Sequence, residues 1–354
     1  MQIPLARRRF LRLSGAAAAL ALSPATLSPA ALSSRAEAAS PVTLRVGYIP
    51  IIPMTQLFIM EGEGWTGQAG LDLKLTSFSS GPAMVQALAS GSLDVVYVGI
   101  GPAMVARSRG IDIKVLASNI IDQVAFIGRG PFAETMAASA SPADGFRQFY
   151  QRAGRPAKIA TLPQGSVPDT ILRYYIRNVA KADPAHVEIV GVGEDQVQQL
   201  LLAGAVEGAS ILEPVLTIVQ ERDPTARIVA PANAMLPRQP GAVLAVRETA
   251  IAEHRDAIAK LVELHVRATD FANTRHDRAA AHVSAFIGKG LVDPDVIAKA
   301  LRSPNTNLVA NPHEIMESTA LLQDFQQTTG AQIKPVDLNA LFDHSFFDAV
   351  RKAG

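Results

Sequence analysis

The stretch Lys158–Ile176, KIATLPQGSVPDTILRYYI, sets Gly165-Ser166-Val167-Pro168-Asp169 between an apolar run and an amphipathic one. Ser166 followed by Asp169 three residues later is a capping box, and Pro168 suits a first helical turn, where its missing N–H is not needed. Ile171, Leu172, Tyr175, Ile176 and Val179 then recur at helical spacing. Helix capping accounts for the stretch taken alone. The same kind of turn occurs twice more, at Ser79-Ser80-Gly81-Pro82 and at Gly99-Ile100-Gly101-Pro102, and the string GPAMV opens a helical pattern at 81–85 and again at 101–105. In an open parallel sheet such turns lie beyond the carboxyl ends of the strands, where ligands bind. Each offers free N–H groups and the positive end of a helix dipole, so together they suit an anionic or strongly polar group. None contains Lys or Arg, so amides and hydroxyls would do the holding. Glu213-Pro214 follows another apolar run; its carboxylate either contacts a cationic or hydroxyl group of a ligand or starts a helix with help from the dipole.

Catalytic and nucleotide patterns are weak. Gly99-Ile100-Gly101 and Gly191-Val192-Gly193 begin like dinucleotide fingerprints, but Met104 and Gln196 stand where the third Gly belongs. The chain has no P-loop, no G-x-S-x-G and no H-E-x-x-H. Its seven histidines are scattered, and His254, His265 and His282 read as surface or packing residues. With no cysteine, disulfides and thiolate metal sites are excluded. No catalytic residue, cofactor or metal ligand is expected.

The elements that position these turns alternate strand and helix, the mark of an α/β fold with mainly parallel strands. Strands are expected at Thr43–Tyr48, Leu71–Phe78, Val95–Gly99, Lys114–Ser118 and Val124–Gly128. Further ones are expected at Lys158–Thr161, Val187–Gly191, Gly208–Leu212, Arg227–Ala230 and Ala242–Arg247. Helical patterns lie between them, for example at Pro82–Ala89, Pro102–Arg109, Asp169–Ala180 and Asp195–Ala203, and from Thr249 onward the chain reads as helix and loop only.

The first 38 residues read as an export leader. Ala6-Arg7-Arg8-Arg9-Phe10-Leu11-Arg12 resembles a twin-arginine motif, an Ala-rich apolar run from Leu13 to Leu22 follows, and Ala36-Glu37-Ala38 is an A-x-A cleavage site. That run is about half of the roughly 20 residues that span a bilayer, so no membrane anchor is expected. Removing residues 1–38 leaves 28 basic and 31 acidic side chains, a mature net charge of −3 with no basic block. Nucleic acid is therefore excluded as a partner. At 354 residues with 48% apolar content the chain is long enough for two lobes.

Leu44-Arg45-Val46-Gly47-Tyr48-Ile49-Pro50 resembles the first strand and loop of solute-binding proteins that serve ABC importers, in the nitrate/taurine/aliphatic-sulfonate group. Gly70-Leu71, the 79–82 turn, Gln86 to Asp94 (QALASGSLD), Gly99-Ile100-Gly101-Pro102, the 158–176 stretch and Gln199 to Ala209 (QLLLAGAVEGA) follow in the family's order, over about residues 42–290. The resemblance implies a type II periplasmic binding fold: two α/β lobes joined by a two-strand hinge, with a helical C-terminal tail. Lobe one would be residues 41–121 completed by 240–354, and lobe two residues 122–239. The ligand residues it implies are Tyr48, Pro53, Thr55 and Gln56, then Ser79, Ser80 and Gly81, then Gly99, Ile100 and Gly101. Asn119, Gln164, Gly165, Ser166 and Glu213 complete the site. The partners implied are a small-molecule ligand and an ABC permease with its ATPase, the protein being a free periplasmic monomer exported by the twin-arginine route. The segment Pro131–Pro156 is longer than the family's usual connection, and Pro50-Ile51-Ile52-Pro53 is more apolar than taurine or nitrate would need. These departures imply an organic body on a polar head, a small organic anion or zwitterion with sulfonate-like compounds favoured. An enzyme on the same fold, of the pyrimidine- or menaquinone-pathway kind, is the rival reading; the absence of Cys and of any His in a cleft loop speaks against it. A periplasmic sensor domain is a third. On this reading Ser166→Asp would abolish binding and leave folding largely intact.

Overall fold

A computed structural model describes residues 40–287 and 292–353. The export leader read from residues 1–38 lies outside them. In chain order the strands are β1 (Val42–Tyr48), β2 (Leu71–Ser77), β3 (Val95–Gly99), β4 (Ile113–Ser118), β5 (Ile120–Ile121) and β6 (Ala125–Gly128). They continue with β7 (Ala157–Thr161), β8 (Val187–Gly191), β9 (Gly208–Ile211), β10 (Arg227–Ala230), β11 (Ala242–Arg247) and β12 (Asn307–Leu308). All ten expected strands form, within a residue at most ends.

They build two five-stranded sheets, ordered β2-β1-β3-β11-β4 and β10-β6-β9-β7-β8. The expectation of mainly parallel strands is corrected. β1 pairs in parallel with β2 and β3, and β7 with β8 and β9. The ladders of β11 with β3 and β4, and of β6 with β9 and β10, are antiparallel. The cause is topological. The chain leaves the first sheet after β4, enters the second through β6, and comes back as β11, so its entry and return strands run against the local βαβ direction. The expected end of strands at Thr249 also needs correction, because β12 pairs antiparallel with β5.

The two passages between the sheets lie side by side. Ile121 bridges Pro240 in antiparallel fashion, Asp122 N–H donates to the Gln239 carbonyl at 3.0 Å, and Gln239 N–H donates to Asp122 Oδ1 at 2.9 Å. Asp122 and Arg238, both at φ 50°, hold left-handed backbone that residues with a Cβ rarely adopt.

The long segment 131–156 forms the helices Gly130–Ala138 and Pro142–Ala153. Its Phe132 and Phe146 pack on Phe126 of β6 at ring separations of 6.0 and 6.1 Å, so the extra length supplies the aromatic core behind the second sheet. The C-terminal helices cover the first sheet and also reach the second half. Lys299 pairs with Glu221 at 2.5 Å, and the helix Met316–Thr328 sets Phe325 edge-on against Tyr174.

Candidate functional site

The three strand-to-helix turns meet. A Cβ on Gly81 would strike the Pro102 ring, so the two copies of GPAMV pack directly on one another. A Cβ on Gly99 would lie 2.9 Å from Val167 Cγ2, and one on Gly101 would lie 3.3 Å from the Gly165 carbonyl. Glycine at 99 and 101 therefore lets the turn after β7 approach the turn after β3 to backbone contact. Gly165 itself sits at φ +86°, the left-handed conformation that turns its N–H toward Asp169 Oδ2 at 3.2 Å. Ser166 Oγ accepts from Asp169 N–H at 3.3 Å, and Ser80 Oγ caps its own helix from Ala83 N–H at 3.4 Å. Burial raises the Asp169 carboxyl above its ordinary pKa, and Arg173 at 2.8 Å pulls it back.

The helical tail closes in on the place where these turns meet and leaves a hollow of about 130 Å³ lined by Pro82, Pro102, Gln164 and Gly165. Gln326, fully buried, donates through Nε2 to Thr170 Oγ1 at 3.1 Å and to the Gly165 carbonyl at 3.4 Å. A Cβ on Gly101 would come 2.7 Å from that same nitrogen. Gln164, exposed, donates to the Thr329 carbonyl at 3.4 Å. Ile100 is wholly buried.

A second group forms a buried polar knot at the first crossing. Asn119 Nδ2 donates to the Pro53 carbonyl at 2.9 Å, and Gln56 Nε2 donates to the Asn119 carbonyl at 2.8 Å and to Thr269 Oγ1 at 3.2 Å. Thr55 Oγ1 donates to the Ile52 carbonyl at 2.7 Å. Gln56 Oε1 and Asn119 Oδ1 have no hydrogen-bond partner among the described residues, although both side chains are fully buried. Glu213, also buried, accepts from Thr217 N–H at 3.0 Å and so caps the helix Val215–Arg222. Burial raises its pKa against the opposing pull of Ser303 and Thr217.

Open space lies to one side of these contacts. A cavity of about 530 Å³ is walled by Tyr48 and Ser77 at the ends of β1 and β2, by Glu194 and Asp195 at the start of the helix after β8, and by Arg222 and Phe286. A neighbouring hollow of about 390 Å³ shares Pro50, Glu194 and Asp195 with it and adds Ser79 and Gln196. Tyr48 stands edge-on to both Phe58 and Phe286. Desolvation raises the Glu194 carboxyl well above its ordinary pKa and Asp195 adds to the rise, although part of the residue remains open to solvent. Of the sequence-derived residues, Tyr48 and Ser79 line this space. Among the described residues no group of three or more His, Cys, Asp or Glu could hold a metal ion.

Glu194, Arg222, Phe286 and Gln326 were not among the sequence-derived candidates. The turn Gly191-Val192-Gly193 ahead of Glu194 carries the same signal as the turn at 99–101 and marks a fourth strand-to-helix turn. Phe286 and Gln326 come from the helical tail, and nothing in their local sequence points to the cleft.

A family model described as the NMT1-like family matches residues 37–287. A Brucella abortus (strain 2308) protein, whose name records only a provisional binding role, is 25% identical over 250 residues, covering 70% of this chain and 72% of the relative. Two solved structures share the fold. The alkanesulfonate-binding protein SsuA from Xanthomonas axonopodis pv. citri, bound to MOPS, superposes with TM-score 0.68 at 16% identity, over 87% of this chain and all of that one. The periplasmic nitrate-binding protein NrtA from Synechocystis PCC 6803 gives TM-score 0.73 at 12% identity, over 88% and 89% of the two chains.

Proposed function

Starting from the fact that this chain belongs to the NMT1-like family and has the two-lobed α/β binding fold, we propose that it is the solute-binding component of an ABC importer. It acts in the periplasm after export and is not an enzyme. The observation that carries this reading is the cavity of about 530 Å³ walled by strand ends of the first sheet and helix starts of the second. Its size matches a small organic molecule, and its walls belong to two bodies joined by adjacent crossings. The binding residues are Tyr48 and Ser79 together with Glu194, Asp195, Arg222 and Phe286, while the glycines of the converging turns set how closely the two bodies approach. Pro53, Thr55, Gln56 and Asn119 hold the crossing in register.

The ligand is a small organic anion or zwitterion. Sulfonate-like compounds are supported by the sequence resemblance and by what SsuA binds. Two acids and one base among the described lining residues favour a zwitterion over a simple anion. Solute capture closes the two bodies about the crossings at Asp122 and Arg238, and the closed form is what a permease reads. Solution scattering with and without a saturating solute tests this mechanism. A smaller radius of gyration in the bound state is expected. Superimposable profiles, with calorimetry showing that the solute is bound, would remove hinge closure from the account.

A further inference from the structure

Trp65, the single tryptophan of the chain, stands away from the cleft. It opens the short helix Trp65–Gln68, and two residues beyond that helix the Gly70 carbonyl accepts from Val42 N–H at the first residue of β1. The tryptophan is thus at the amino ends of β1 and β2, whereas the cleft opens at their carboxyl ends. Its ring meets Phe271 of the helix Arg255–Thr274 edge-on, at 5.6 Å and 85°. Three guanidiniums lie on this buried aromatic pair: Arg267 at 3.7 Å from the Trp65 ring centre, Arg275 and Arg278 each at 5.4 Å from that of Phe271. Together they wall a hollow of about 370 Å³, and all three arginines are exposed to it. Glu63 in the same wall is occupied, because its carboxylate accepts from Arg278 Nε at 2.8 Å and also meets His282. Arg267 and Arg275 have no side-chain hydrogen-bond or ion-pair partner among the described residues, and Asp270, the other acid of the wall, pairs with neither.

A guanidinium resting on an aromatic face keeps the N–H groups around its rim free, in a fixed fork that suits an oxyanion. Three such groups in one hollow stand out on a chain whose residues beyond 38 carry 28 basic and 31 acidic side chains. The two that lack an acid lie on rings nearly at right angles, so they approach from different directions. A planar carboxylate accepts such forks in one plane only. A tetrahedral oxyanion offers pairs of oxygens in several directions, and a double negative charge matches two uncompensated guanidiniums. From this juxtaposition we propose a second binding site, at the end of the first sheet away from the cleft, for a doubly charged phosphate group. Arg267 and Arg275 hold its oxygens, the aromatic pair is the floor beneath them, and Arg278 stays tied to Glu63. The group comes either as the free ion or on a phosphate monoester. The proposal does not depend on the solute-binding reading of the cleft.

Because Trp65 is the only tryptophan, its fluorescence reports on this hollow and on no other part of the chain. The protein from Ala39 onward is titrated with inorganic phosphate and, separately, with glycerol 3-phosphate, at fixed ionic strength and a mildly alkaline pH where phosphate is doubly charged. The emission should change with a dissociation constant below about 1 mM, and acetate, planar and singly charged, should act at least about tenfold more weakly. In calorimetry Arg267→Gln and Arg275→Gln should each weaken phosphate by about tenfold with an unchanged melting midpoint. Arg177→Gln, which removes the same charge from an exposed position on the other half of the protein, should leave phosphate affinity as it is. A response to both compounds shows that the site admits carried phosphate groups, and a response to inorganic phosphate alone restricts it to the free ion. Three results overturn the proposal: no change in emission with either compound, an equal response to acetate, or phosphate affinity that ignores Arg267→Gln and Arg275→Gln. Phosphate heat without any change in Trp65 emission also overturns it, because the ion then sits elsewhere. None of these failures touches solute binding in the cleft.

Discussion

Acidification from neutral pH to about pH 4 is expected to remove about 3 kcal/mol of folding free energy through His265 alone. His265 is fully buried on the long helix Arg255–Thr274. Its Nε2–H donates to the Ser118 carbonyl at 2.8 Å, and its Nδ1 faces the Tyr97 hydroxyl at 3.4 Å. Both nitrogens are thus used by the neutral ring. Burial lowers its pKa from 6.5 to about 4, although the bond to Ser118 works in the other direction. Between those values the unfolded chain takes up a proton that the folded chain refuses. Stability contributed by the neutral ring is therefore complete above pH 6.5 and drains away as the pH falls toward 4. Glu194, Glu213 and Asp169 complicate the total, because burial raises their pKa values and gives them the opposite pH dependence. A double difference isolates the histidine. Urea unfolding of wild type and His265→Gln at both pH values should show the variant losing about 3 kcal/mol less on acidification. Equal losses in the two proteins would mean that the ring is already protonated when folded, or that water reaches it.

Ser166→Asp is expected to cost more than about 3 kcal/mol of stability, roughly the penalty of an uncompensated buried charge. Ser166 is 3% exposed, and its hydroxyl caps the helix Val167–Tyr174 from Asp169 N–H. Asp169 is buried alongside, with Arg173 as its ion-pair partner. A second carboxylate in this turn would have to share that one guanidinium and would raise the pKa of its neighbour further. The sequence-based expectation that this substitution spares folding is corrected accordingly: Asp is a good N-cap only where water can reach it. Ser166→Ala, which removes the cap without adding charge, should cost about 1 kcal/mol. Denaturant unfolding of the two variants separates the effects. A Ser166→Asp protein within 1 kcal/mol of wild type, roughly the size of a lost cap, would show that solvent enters the turn.

These two sites also show what a sequence discloses and what it withholds. The strands were legible because each is a short apolar run closed by Gly, Pro or a charged residue, as at Val95–Gly99 ahead of Pro102. Their directions were not, because β11 lies between β3 and β4 only through a return from more than a hundred residues away. The turns at Gly99, Gly101 and Gly165 were legible as helix starts, since Gly followed by Pro or by Ser with Asp has few other uses. Their mutual contact was legible only through the family resemblance. Gln326 and Phe286 stayed hidden, because helical periodicity reports that a face is buried and not what it is buried against. Glu194 was within reach. Its Gly191-Val192-Gly193 turn fails as a nucleotide fingerprint at Gln196, and the same glycines open a fourth strand-to-helix turn that carries two acids.

Solute binding is the central claim, and a thermal-shift screen of the protein from Ala39 onward measures it most directly. The panel would span sulfonates, amine-bearing zwitterions, nitrate, bicarbonate, aromatic carboxylates and pyrimidines, with mass spectrometry of the supernatant after denaturation to reveal any solute carried through purification. A ligand present at a hundred times its dissociation constant stabilises the fold by roughly 2.7 kcal/mol. The account predicts that one chemical class raises the midpoint by several degrees, or that a small molecule is released on denaturation and binds again when added back. A flat panel together with an empty supernatant would contradict it.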